Sequence, residues 1–205
     1  MDGTFRTVPT VFRQLYTIHA PVGTSKNSQI FPLIYALMSS KSAELYTQLF
    51  QDLNDIAAEN EFTLRPSTII TDFEIAAINA FRDAFPDVTN KGCFFHFAQS
   101  GWRKVQESGL SVQYSTDNHL NLKICQLFAL AFLPPADPAA FDMLKVEIPP
   151  AARNIVQWFE EYYVYGKVRR VYRNGNVSRN APLFSPTLWS VFDSVEAGIP
   201  RTQNK

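Results

Sequence analysis

At 205 residues, with 46% hydrophobic and 14% aromatic side chains, the chain carries enough apolar material for a real core and fits one domain, or one domain with an insertion; disorder as its main state is excluded. Nineteen basic residues balance nineteen acidic ones, which argues against a surface that grips a polyanion over its whole extent. Two cysteines are too few for a disulfide framework, no basic start followed by an apolar stretch opens the chain, and the longest apolar stretch, 124–133, is too short to span a bilayer, so a reducing, intracellular location is expected.

In chain order, Phe5 to Val11, Leu15 to His19 and Ile30 to Met38 read as three strands, the last a nearly continuous apolar run of the kind a buried strand shows, with residues 23–28 as the polar turn between the second and third. Ser42 to Ala58 repeats apolar residues at helical spacing (Leu45, Leu49, Leu53 and Ile56, joined by Tyr46, Phe50 and Ala57), with Ser40 or Ser42 to cap it and Glu44 in its first turn. After Arg65-Pro66, Ser67 to Asp72 reads as a short strand and Glu74 to Phe85 as a helix with Ile75, Ile78, Phe81 and Phe85 inward. Lys91 to His96 reads as one more strand, leading into helical patterns that run from about Trp102 to Val164 and are broken by two Pro-Pro pairs. The spacing of Trp158, Phe159, Tyr162, Tyr163 and Tyr165 marks them as core rather than a base-stacking platform.

Two carboxylates stand out. Asp2 opens the chain, and Asp72 ends the apolar run Ile69-Ile70-Thr71 where a strand hands over to a helix, the place where ligand and catalytic groups gather in open α/β sheets. Two acids so placed can meet at one sheet edge, and phosphodiester chemistry needs such a cluster to hold divalent metal. On their own, Asp2 also reads as the start of an Asp-Gly turn and Asp72 as a helix cap. The charge balance is uneven: residues 1 to 152 hold 11 basic and 15 acidic side chains, and residues 153 to 205 hold 8 and 4. Within the latter, Lys167, Arg169, Arg170, Arg173 and Arg179 run without an intervening acid, as either a solvated face or a phosphate-contacting strip.

Read from physics alone this is an α/β chain with a mixed sheet; its element order is that of an RNase H-like fold. Asp2-Gly3-Thr4-Phe5, Gln14 to Ile18, Phe31 to Met38, Tyr46, Thr71-Asp72-Phe73-Glu74 with Ala76 and Ala77, and Gly92 to Gln99 together resemble the transposase domain of Mutator-like elements (MULE). The resemblance implies a DDE transposase that cleaves DNA at transposon ends and joins them to target DNA in the nucleus, with Asp2 and Asp72 as its first two acids and a Mg²⁺ or Mn²⁺ pair as cofactor. It places the third acid, a Glu, just past Lys205, so the chain is expected to be a fragment with a shortened first strand, inactive by itself. The implied organisation is a catalytic core over 1–99, a mostly α-helical insertion over 100–195, and the segment leading to the missing acid over 196–205; a homo-oligomer is compatible with it.

Glu74 would support Asp72 from beside it, although an acid suits a helix's first turn in any case. Cys93 and His96 match the family's Cys-x-x-His element, but a structural zinc needs four nitrogen or sulfur ligands and only Cys125, His19 and His119 remain, so zinc is not expected. Two other readings stay open: a domesticated, non-catalytic descendant that binds nucleic acid or regulates, and an RNA-cleaving RNase H-like nuclease, against which the long helical insertion counts.

Overall fold

The structure, a computed structural model, describes residues 8–23, 27–135 and 138–202, and the strand path alone of residues 2–4. The chain is mixed α/β and divides into two compact units, residues 1–91 with Thr202 and residues 92–201.

In the first unit, β1 (Asp2–Thr4), β2 (Gln14–Val22) and β3 (Gln29–Met38) form an antiparallel sheet in the order β1-β2-β3, with Asp2 opposite Thr17 and Gly3 opposite Tyr16. The first strand therefore lies earlier than the sequence suggests. Residues 5–7 fall outside the description, and Val8 to Arg13 is not strand: Phe12 N–H donates to the Pro9 carbonyl at 2.9 Å in a turn, which suits a proline that has no N–H for a ladder. β3 is present but not buried. Phe31, Leu33, Tyr35 and Leu37, alternate residues that share one face, are 45 to 61% exposed, so that face lies open among the described residues; an unbroken apolar run does not tell one covered face from two. The register slips between Ile18 and His19, opposite Pro32.

Helix α1 (Ala43–Glu59) starts where Ser42 Oγ accepts the Leu45 N–H at 3.4 Å, and Ser40 Oγ accepts the Ser42 N–H at 3.2 Å. It buries Tyr46, Phe50 and Ala57, with Leu45, Leu49 and Leu53 partly covered; Ile56 points out, 55% exposed. Helix α2 (Ile75–Ala84) packs against it, and Phe50, Phe81 and Phe85 meet at centroid distances of 5.2 to 6.0 Å. Tyr16 and Met38 close this core from the sheet. β4 (Thr68–Thr71) and β5 (Thr89–Gly92) make a separate two-stranded sheet rather than extending the first one.

The expected strand from Lys91 to His96 is a junction instead. β5 ends at Gly92, Cys93 holds the cap position, and helix α3 (Phe94–Glu107) begins at once. The apolar run Cys93-Phe94-Phe95 was ambiguous in period; what decides it is that Phe97, Gly101 and Val105 repeat every four residues and are all buried. Helices α4 (Ser111–Thr116), α5 (Asn118–Ala129), α6 (Ala139–Lys145) and α7 (Arg153–Phe159), the last continued by a π-turn over Glu160–Val164, surround a core of Leu120, Ile124, Leu127, Phe141, Ile155, Phe159 and Tyr163. Gly101 is required here, since a Cβ on it would lie 1.9 Å from the Phe128 ring. This half, expected to be mostly α-helical, also builds a sheet: β6 (Val168–Val171) and β7 (Val177–Arg179) pair as an antiparallel ribbon before α8 (Pro186–Trp189) and α9 (Phe192–Glu196).

Candidate active site

Asp72 is the first residue past β4 and lies three before α2, where the strand end and the helix start fix its backbone from both sides. The strand end itself is held: Thr71, fully buried, donates its hydroxyl to Asn90 Oδ1 at 3.0 Å, and Thr89 N–H donates to the Ser67 carbonyl at 3.3 Å. Asp72 is half-buried, with Oδ1 out of contact with solvent.

Two residues on, Glu74 is tied down at both oxygens. Lys41 Nζ donates to Oε2 at 2.6 Å, and the Tyr46 hydroxyl donates to Oε1 at 2.9 Å. Tyr46 accepts in turn from Gln14 Nε2 at 2.7 Å, and the same amide nitrogen touches Met38 Sδ at 3.3 Å. The result is a directed chain, Gln14 to Tyr46 to Glu74, crossing from β2 through α1 to the start of α2. Gln14 and Tyr46 are fully buried, so each needs its partner. Burial pushes the Tyr46 hydroxyl well above the usual tyrosine range; Gln14 opposes this, while the hydrogen bond to Glu74 and the charges of Glu74 and Asp72 add to it. Two residues apart between β4 and α2, both carboxylates lie at the same end of this core.

The other acid is less fully described. The backbone puts Asp2 opposite Thr17 on β2, but its side chain lies outside the described residues, as does any distance from it to Asp72. Asp72, a carboxylate at a strand end, carries hard oxygen donors of the kind that Mg²⁺ or Mn²⁺ takes. Among the described residues no group of three His, Cys, Asp or Glu side chains is placed to hold an ion.

Residues 1–100 match the family model of the MULE transposase domain. They are a MULE transposase domain. No curated protein and no solved structure matches the chain. The domain's function is transposase-related, and Asp72, Glu74, Tyr46 and Gln14 all lie inside the matched span.

The remaining sequence candidates are dispersed. Cys93, buried, caps α3, and His96 sits in the first turn of that helix, half-buried; neither lies on a strand. Cys125 is elsewhere, exposed, its Sγ 3.2 Å from the Tyr114 hydroxyl. Lys167, Arg169, Arg170, Arg173 and Arg179 all lie on or beside the β6-β7 ribbon and are exposed, but Arg179 is engaged, donating to Glu160 Oε1 at 2.6 Å and to the Gly166 carbonyl at 2.9 Å. Gln14, Tyr46 and Lys41 received no site role from sequence. The available signal was a tyrosine on the apolar face of a helix, whose hydroxyl must find a partner once buried. Among the described residues, no helix is long and apolar enough to cross a membrane.

Proposed function

We propose that the MULE transposase domain is the catalytic core of a DDE transposase of RNase H-like fold, performing metal-dependent cleavage and strand transfer at transposon ends in the nucleus. The order of a three-stranded antiparallel sheet, a helix, a strand, a helix and a further strand supports that fold. In this reading Asp2 and Asp72 hold Mg²⁺ or Mn²⁺ together with a third acid, a Glu. Asp2 and Asp72 would hold the metal, which would supply activation of the attacking oxygen and stabilisation of the leaving one.

The protein's own part is positioning. Glu74, held by Lys41 and Tyr46, fixes the turn that carries Asp72, and Asp72 would be the group that meets metal. The observation that carries the proposal is this one: Asp72 stands at a strand end inside the matched domain, beside a carboxylate that the core immobilises.

Calorimetric titration with Mn²⁺ tests it. The 205-residue chain should bind Mn²⁺, a hard cation that takes oxygen ligands. Asp72→Asn should abolish that binding and any Mn²⁺-dependent nicking of plasmid. Binding that survives Asp72→Asn, or nicking undiminished by Asp2→Asn or Asp72→Asn, would overturn the assignment. DNA binding with no Mn²⁺ binding at all would favour the non-catalytic descendant.

A further inference from the structure

The β6-β7 ribbon carries a charge pattern that the site around Asp72 does not use. From Lys167 to Arg179 there are five cations and no acid, and all four residues of β6 are solvent-exposed. The ribbon closes through Tyr172 N–H to the Asn176 carbonyl at 2.8 Å and is anchored at its base by Asn180 N–H to the Lys167 carbonyl at 2.9 Å. Arg179 belongs to that base: besides its bonds to Glu160 and Gly166, its guanidinium lies 5.5 Å from the Tyr165 ring centre. Gly166 allows the close approach, with φ of +81° and the Asn180 carbonyl oxygen 1.9 Å from where a Cβ would sit.

The other four cations are differently placed. Arg170 lies over the Tyr172 ring at 5.2 Å and Lys167 over Tyr162 at 5.4 Å, and among the described residues none of Lys167, Arg169, Arg170 and Arg173 pairs with an acid. We propose that this ribbon is a docking surface for the phosphates of duplex DNA, with Arg169, Arg170, Arg173 and Lys167 as the contacting groups and Arg179 as the anchor of its base. The choice of DNA among polyanions rests on the transposase reading. Shape agrees with it: a two-stranded ribbon fits a major groove about 12 Å wide and not a minor groove of about 6 Å. Guanidinium groups also match phosphate in geometry and hold their charge.

Fluorescence anisotropy of a labelled duplex of arbitrary sequence, titrated with the 205-residue chain across a salt series, reads the number of contacts. At about −0.9 per neutralised phosphate, four contacts give a log–log slope of about −3.6, so affinity should fall about 150-fold over a fourfold rise in salt. In R169A/R170A/R173A one contact remains, and the same rise should cost only about 3- to 4-fold. R169K/R170K/R173K, which keeps the charge, should keep the slope. A slope unchanged in the triple alanine variant overturns the proposal, and so does binding to anionic phospholipid vesicles without binding to duplex. The two readings fail separately, because the salt slope does not depend on a metal at Asp72 and the Mn²⁺ titration does not depend on DNA.

Discussion

Gln14 and Tyr46, both fully buried in the first unit, pass a hydrogen-bond chain outward to a charged carboxylate. The centre of the second unit is ring against ring. Phe97 stacks on Trp189 at 5.3 Å and meets Phe128, Phe159 and Tyr163 at 5.1 to 6.0 Å, and the polar tips there end on neutral groups: Trp189 Nε1 donates to the Tyr163 carbonyl at 2.9 Å, and the Tyr163 hydroxyl lies 3.0 Å from Ser100 Oγ. The two units put their charge in different places. The first threads polarity through its core to hold an acid still at a strand end; the second keeps its core neutral and carries its cations on an exposed ribbon. Rigidity around a carboxylate suits chemistry, and exposed cations suit contact with a polyanion.

The comparison can be broken most forcefully at Phe97. Fully buried among aromatic rings, Phe97→Ala should cost about 3 to 5 kcal/mol, read by denaturant unfolding followed through tryptophan fluorescence. A loss below about 1 kcal/mol would mean that this core is loosely packed. Next comes Tyr46→Phe, which keeps the ring and removes the link between Gln14 and Glu74. It should cost about 1 to 3 kcal/mol, because a buried amide and a carboxylate oxygen lose their partner. Ser42→Ala, a single cap, should cost about 1 kcal/mol.

Alkaline titration sharpens the contrast in a different way. Burial pushes the Tyr163 hydroxyl up to about 12, against the pull of Ser100 and with a further push from Tyr162. A raised folded-state value means that its contribution is intact below about pH 10, where the unfolded phenol titrates, and is lost as pH climbs toward the folded value near 12. Stability should therefore be flat up to about pH 10 and fall above it, with tyrosinate absorbance from Tyr46 and Tyr163 appearing only as the protein unfolds. Early, reversible ionisation of every tyrosine would contradict the burial of both.

Much of the first unit was legible in advance because its signals are local. Ser42 caps a helix whose apolar spacing is unambiguous, and Asp72 falls at a strand-to-helix handover marked by β-branched residues on one side and alanines on the other. What stayed hidden depended on partners distant in sequence. Nothing in β3 announces that one of its faces is uncovered, and the stretch after Gly92 is apolar in a way that fits either period until Gly101 and Val105 are seen to line up with Phe97. The ribbon at Val168 to Arg179 was read as part of a helical layer although Val168, Val171 and Val177 favour a strand and Asn174-Gly175-Asn176 favours a tight turn. The tie from Gln14 through Tyr46 to Glu74 spans 32 and 28 residues, beyond the reach of any spacing argument.

On the proposed function, Asp2 and Asp72 share one metal site at the end of the core that Glu74 and Tyr46 hold. A crystal of the chain soaked in Mn²⁺ tests it directly through the anomalous signal of the metal. A Mn²⁺ peak touching both carboxylates is expected, with the two about 4 to 7 Å apart, given the spacing of a two-metal site. Asp2 and Asp72 found on opposite faces or edges, or Mn²⁺ bound with neither of them, would contradict it.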